Sequence, residues 1–200
     1  MRITLAIPTN RGVRPKTVQA LLDLVAYSKA HDFHIVVAEK GYTVAENRNY
    51  IVVQAKRNNS DYVLFVDDDM VFPPETLEML LATGKDIVGV ASNSRCLPPS
   101  PTVGQMDENG NYKDPDRHSP RQMQLPKELF EAYFVGGGVL LVNMGVFTQL
   151  PAPWFRFETD ENGMVTTGED GYFCKTAREH HIGVWCEPRI PIGHLGEYQY

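Results

Sequence analysis

At 200 residues and 42% hydrophobic side chains the chain is long enough for one well-cored domain, and no composition break divides it. A formal net charge of -6 with 19 scattered Lys and Arg speaks against nucleic-acid binding, and three cysteines without Cys-x-x-Cys spacing speak against a disulfide framework or a zinc site. No stretch approaches the roughly 18 apolar residues of a membrane span and Met1 to Pro8 is too short and strand-like for a signal peptide, so a soluble cytoplasmic protein is expected, with Cys96, Cys174 and Cys186 as free thiols.

Ile3 to Ile7 is an apolar run closed by Pro8, which predicts a first strand followed by the polar loop Thr9-Asn10-Arg11-Gly12. Pro15 suits the first turn of a helix, and Val18, Leu21, Leu22 and Val25 recur with the spacing of a buried helical stripe. Phe33 to Ala38 reads as a second strand. Strand, helix and strand within about 35 residues imply a right-handed crossover joining parallel strands. Thr43 and Glu46 have capping-box spacing, which predicts a helix from Val44 to about Arg57, ended by Asn58-Asn59. Its stripe, Val44, Ile51, Val52 and Ala55, is interrupted by Asn47 and Arg48. A buried Arg needs an anionic partner, so Arg48 faces a ligand phosphate, pairs with an acid, or snorkels to the helix edge.

Tyr62 to Val66 is an unbroken apolar run leading directly into Asp67-Asp68-Asp69. Such a run suits a strand buried on both faces, and ligands bind beyond the carboxyl ends of strands in open α/β sheets. Three adjacent acids repel one another unless donors or a cation neutralise them, and oxygen ligands favour Mg²⁺ or Mn²⁺; the plainer reading is an acidic turn in water. Pro73-Pro74-Glu75 opens a helix carrying Leu77, Leu80 and Leu81, with Gly84 near its end, and Asp86 to Ala91 follows as a strand.

Ser92 to Leu129 holds six prolines and a hairpin about Asp107-Glu108-Asn109-Gly110, and is expected to cover the substrate. Gly136-Gly137-Gly138 interrupts the strand Tyr133 to Asn143, marking either close approach by a ligand or backbone, or a bulge at a bend. Asn143 is placed to cap a short helical stretch from Met144 to Leu150. A hairpin of Trp154 to Phe157 against Met164 to Thr166, turning at Asp160 to Gly163, precedes a helix that opens with Glu169-Asp170 and carries Tyr172, Phe173 and Ala177. Gly183 to Cys186 is the last expected strand. His194, between glycines, reads from its surroundings alone as a loop residue.

Taken together these residues resemble the GT-A glycosyltransferases, above all the compact family 2-like members of bacteria and phages. The resemblance rests on Asp67-Asp68-Asp69 as the Asp-x-Asp motif at a strand end, on Arg48-Asn49 in the helix before it, on the glycine-containing strand Val135 to Val142, on Glu169-Asp170 opening a helix, and on the late His194. It implies a single GT-A domain over residues 1–200: a Rossmann-like mixed α/β sheet with helices on both faces, a nucleotide-binding half over 1–91 and an acceptor-binding half over 92–200. It implies a hexosyltransferase that uses a UDP- or GDP-linked sugar and Mn²⁺ or Mg²⁺, with the acceptor, sugar and stereochemistry open. The metal ligands would be Asp69 and His194, with Asp67 on the ribose or on the metal through water. Asp68, Pro8, Thr9, Arg11 and Glu39 would line the nucleotide, and Arg48 would bind the diphosphate. Asp170, with Glu169 as second choice, would be the base that deprotonates the acceptor hydroxyl. Longer family members continue beyond the counterpart of His194, so no further acceptor or membrane-association domain is expected.

Two other classes fit parts of the pattern. A nucleotidyltransferase shares a similar N-terminal half, but Thr9-Asn10-Arg11-Gly12 is a poor version of its phosphate loop. A non-catalytic sugar-nucleotide-binding or assembly protein keeps the fold, but has no physical need for three adjacent carboxylates.

Overall fold

The computed structural model describes residues 1–39, 41–95, 99–113 and 125–196. Cys96 and much of the Pro-rich connection expected to cover the substrate lie outside them. The described residues form fourteen strands and five helices.

The centre is β3, Tyr62–Val66, whose run of apolar residues is buried on both faces. It pairs parallel with β1, Arg2–Pro8, which pairs parallel with β2, Asp32–Ala38. On its other side β10, Val139–Asn143, runs antiparallel between β3 and β5, Ile87–Gly89. Beyond β5 come β13, Trp185–Cys186, and β8, Phe130–Glu131, completing the order β2-β1-β3-β10-β5-β13-β8. The sheet is therefore mixed.

Side chains of β3 alternate between two cores, Val63 and Phe65 entering one and Leu64 and Val66 the other. The first core is closed by α2, Val44–Arg57, α4, Val146–Gln149, and α5, Glu169–Glu179; the second by α1, Pro15–Tyr27, and α3, Thr76–Ala82. Helices thus cover both faces. Phe147, Phe155 and Phe173 stack in the first core, with Phe155 and Phe173 centroids 4.8 Å apart.

Several elements differ from their sequence-based expectation. Helix α1 spans the expected residues, but its buried stripe is Thr17, Ala20, Leu21 and Leu24, while Val18 and Leu22 are exposed. The helix leans toward β4, Met70–Val71, rather than over the edge strand β2, which leaves Ile35 and Val37 of that strand exposed as well. In α2, Ala45 takes the buried position expected of Val44. The hairpin turn at Asp160 forms, with Gly163 at φ 79°, but its strands are β11, Glu158–Thr159, and β12, Val165–Thr167. Trp154 and Phe155 join the core instead, because the Asn49 side chain accepts from both their amides and donates to the Phe155 carbonyl.

A small three-stranded sheet was not expected: β6, Val103–Met106, pairs with β7, Tyr112–Lys113, across the foreseen turn, and with β9, Phe134–Val135. Nor was the ladder between β4 and β14, Gly193–His194.

The capping box at α2 is complete: the Thr43 hydroxyl accepts from the Glu46 amide and the Glu46 carboxylate accepts from the Thr43 amide. Thr43→Ala is expected to lower unfolding stability by about 1 kcal/mol, and Thr43→Gly by less, in urea titration.

Candidate active site

The three carboxylates follow β3 directly, and each is held by a different part of the chain. Asp67 accepts from Arg48 Nη2 at 2.7 Å, Asp68 from the Thr9 hydroxyl at 2.5 Å, and Asp69 from Arg95 Nη1 at 2.9 Å. They line a cleft of about 270 Å³ with Pro8, Thr9, Asn10, Arg11, Val44, Asn47, Arg48, Arg95, Glu169 and His194. Pro8 and Thr9 sit at the end of β1, as expected. Glu39 is exposed at the end of β2 and is not among the residues lining this cleft.

Arg48 is the largest fully buried side chain, 2% exposed. Its Nη1 donates to the Gly137 carbonyl at 3.2 Å, its Nε lies 3.6 Å from the Glu169 carboxylate, and its guanidinium lies 5.7 Å from the Phe65 ring centroid and 5.8 Å from that of Phe155. Burial opposes its charge, but Asp67, Glu169 and Asp170 outweigh that cost and hold it more firmly protonated than usual. Of the readings open for Arg48, pairing with acids is the one seen: the fork expected to grip a diphosphate is turned onto Asp67, Glu169 and a backbone carbonyl.

The glycines after β9 have their reason here. A Cβ at Gly137 would fall on the Arg48 guanidinium, and one at Gly138 would meet Met70 Cε at 2.7 Å. The close approach is made by side chains of the protein itself.

Burial pushes the Asp67 carboxyl up to about 6; Arg48 pulls it down, and Glu169, Asp69 and Asp170 raise it further. Burial likewise raises Glu169 against the pull of Arg48. Asp170, half-buried, accepts from the amides of Gly137 and Gly171, and is not among the residues lining the cleft.

His194 arrives on β14, register-paired with Met70, and the Leu195 amide donates to the Asp69 carbonyl. Its Nδ1 donates to the Asn93 carbonyl at 2.7 Å, while Nε2 stands 3.2 Å from Asp69. With the Nδ1 proton committed to Asn93, Nε2 meets the carboxylate either as a proton donor or as a lone pair sharing a cation with it. Carbonyl-oriented imidazole next to a carboxylate is the donor set of a hard or borderline cation, so the residues fit a divalent metal. They fit it as a pair: among the described residues no three His, Cys, Asp or Glu side chains form a ready cluster, and the carboxylate of Asp67 is engaged by Arg48.

Asn47, 1% exposed, went unrecognised as a site residue. Its Oδ1 accepts from the Gly41 amide and its Nδ2 donates to Thr9 and Asn10, so it ties both nucleotide-side loops to α2. Its signal was the same gap in the apolar stripe that marked Arg48. Arg95 carried no signal in the sequence.

Removing Arg48 strands two partly buried carboxylates. Arg48→Met is expected to lose roughly 3–5 kcal/mol in denaturant unfolding. Carbon-13 NMR of the Asp67 carboxyl should show a midpoint near 6 in the native protein, moving higher in this variant. The folded value exceeds the ordinary 3.8, so the Asp67 contribution to stability is fully present below about pH 3.8 and is lost as pH rises through about 6.

A profile of the Glycosyl transferase family 2 matches residues 7–136, most of the chain. A search by sequence among curated proteins found no match. Among solved structures, A197 from STIV is similar with a TM-score of 0.65 and 18% identity, over 98% of this chain and 87% of that one. The structure of GalNAc-T7 with UDP, GalNAc and Mn2+ is similar with a TM-score of 0.56 and 11% identity, over 97% of this chain and 43% of that one. These likenesses show a common fold, the mixed GT-A sheet with helices on both faces, and with the match over 7–136 the chain belongs to glycosyl transferase family 2.

Proposed function

We propose that the protein is a metal-dependent glycosyltransferase that moves a hexosyl group from a nucleoside-diphosphate sugar, UDP- or GDP-linked, to an acceptor hydroxyl. The observation that carries this reading is the convergence of Asp69 and His194, far apart in the sequence, at the carboxyl end of the central strand. The donor half is residues 1–91 and the acceptor half 92–200.

Asp69 and His194 would hold the metal, Mn²⁺ or Mg²⁺, and Asp67 would assist it through water or meet the ribose. When bound, such a cation acts as a Lewis acid that neutralises charge developing on the departing phosphate. Pro8, Thr9, Arg11 and Asp68 border the nucleotide; Glu39 meets it only at the outer end of β2. Arg48 acts from below, fixing Asp67 and Glu169 rather than touching the donor. Asp170 takes the proton from the acceptor hydroxyl: its half-buried carboxylate stands at the start of α5, whereas Glu169 is committed to Arg48.

Calorimetric titration with UDP and GDP is expected to show binding that strengthens with Mn²⁺ and collapses on chelation. Asp69→Asn and His194→Ala should each abolish that dependence while retaining a cooperative melt. Equal affinity with and without Mn²⁺ rejects the metal assignment. Asp170→Asn should lower turnover by roughly 10² to 10⁴ with donor affinity nearly unchanged, and Glu169→Gln is the control; a larger loss in the control transfers the role to Glu169.

A further inference from the structure

The central sheet has two unlike edges. At one end β8 has two residues, one of them an acid, whereas at the other β2 has seven, in unbroken register with β1 and without Lys, Arg, Pro or a bulge. Soluble proteins protect a long edge by such devices, because its free amides and carbonyls accept a further strand. Among the described residues no strand pairs with the outer side of β2.

The backbone shows which groups face outward. The Asp32 amide donates to the Met1 carbonyl and the Ala38 carbonyl accepts from the Thr9 amide, so the even-numbered residues bond toward β1. Phe33, Ile35 and Val37 therefore turn their amides and carbonyls away from the sheet. Their side chains share the face on which Phe33 packs against the second core beneath α1, yet Ile35 and Val37 are 55% and 53% exposed. In a right-handed crossover, a right-handed helix presents to the second strand the flank about a quarter turn beyond its buried stripe. In α1 that flank carries Val18 and Leu22, 40% and 59% exposed. One apolar strip thus runs along the edge and up the side of the helix.

The strip is complementary to itself. When two β2 strands meet antiparallel about a two-fold axis at Ile35, this residue faces its own copy and Phe33 faces Val37 of the other chain. Every outward residue then exchanges both backbone bonds with an apolar counterpart, and Asp32 meets Ala38 rather than another acid. A slip of one residue would set outward groups against inward ones. The edge is about 23 Å long, and helices packed about 10 Å above and below the sheet widen it to roughly 30 Å, a wall close to the roughly 800 Å² that each partner gives a stable interface.

We propose that β2 is the interface of a symmetric homodimer in which two central sheets join into one, β2 pairing antiparallel with β2 of a second copy and α1 packing beside α1. This assembly requires nothing of the function proposed above. Because the paired strands run antiparallel, their carboxyl ends point in opposite directions, and each cleft keeps its own residues.

Sedimentation equilibrium at about 100 µM chain, well above the micromolar constants of the weaker standard-size interfaces, should give twice the 22.5 kDa of one chain. Ile35→Lys and Ile35→Glu each set like charges opposite one another, and each should sediment at 22.5 kDa while keeping native circular dichroism and a cooperative melt. Mixed in equal amounts they should recover the doubled mass, since Lys then faces Glu. Val165→Lys, at a residue 61% exposed on the β11–β12 hairpin, should remain dimeric. Amide exchange at Phe33, Ile35 and Val37 should be at least about tenfold slower in the native protein than in Ile35→Lys. A native monomer at that concentration, a dimer that survives Ile35→Lys, or a mixture that stays monomeric overturns the pairing. Equal exchange in the two proteins, or loss of the dimer in Val165→Lys, overturns it as well. Mass that keeps growing beyond two copies marks open edge-to-edge aggregation and also overturns the closed dimer.

Discussion

The buried guanidinium of Arg48 is the interaction on which the site depends. One cation, enclosed between Phe65 and Phe155, holds the first acid of the strand end, the first acid of α5 and the carbonyl of Gly137. Those groups come from the end of β3, from α5 and from the turn into β10, so one charge ties three elements together at one point. The absence of a side chain at Gly137 is the other half of the arrangement, since a methyl group there would occupy the guanidinium's space. Asn49, one residue on, pins the segment that supplies Phe155. Consecutive residues of α2 thus serve the same construction from two sides.

The electrostatics follow from this placement. Acids gathered at one strand end would repel one another and unfold the turn if left alone. Each is instead given its own donor: the buried Arg48 for Asp67, the Thr9 hydroxyl for Asp68 and the exposed Arg95 for Asp69. Asp69 is also the acid that faces an imidazole.

Legibility in the sequence tracked the range of the interactions. Strand β3, the capping box of α2, the turns at Gly110 and Gly163 and the start of α5 are written in neighbouring residues, and each forms where its local signal lies. The insertion of β10 antiparallel between β3 and β5, the three-stranded sheet around β6 and the pairing of β14 with β4 depend on partners far along the chain, and no periodicity announces them. The buried stripe of α1 turned out one position away from the expected one because its position over the sheet, not its own pattern, decides which side is covered. Arg48 could be recognised as anomalous from its helix alone, but the identity of its partners could not. Arg95 is invisible in sequence because an exposed Arg in a Pro-rich connection looks like any other.

The ladder between β4 and β14 is two residues long on each side, yet it delivers His194 to Asp69. So short a ladder belongs to the least protected part of a structure and opens far more often than the sheet beside it. Each opening takes the imidazole away from the carboxylate while both cores stay intact. A ligand that bridges the two side chains therefore draws its affinity partly from keeping this segment docked, and must slow exchange of the Leu195 amide, which donates to the Asp69 carbonyl, in proportion to how tightly it binds. The pairing of His194 with Asp69 can thus be lost and regained without unfolding, and any ligand held by the two is coupled to the order of the segment that carries His194.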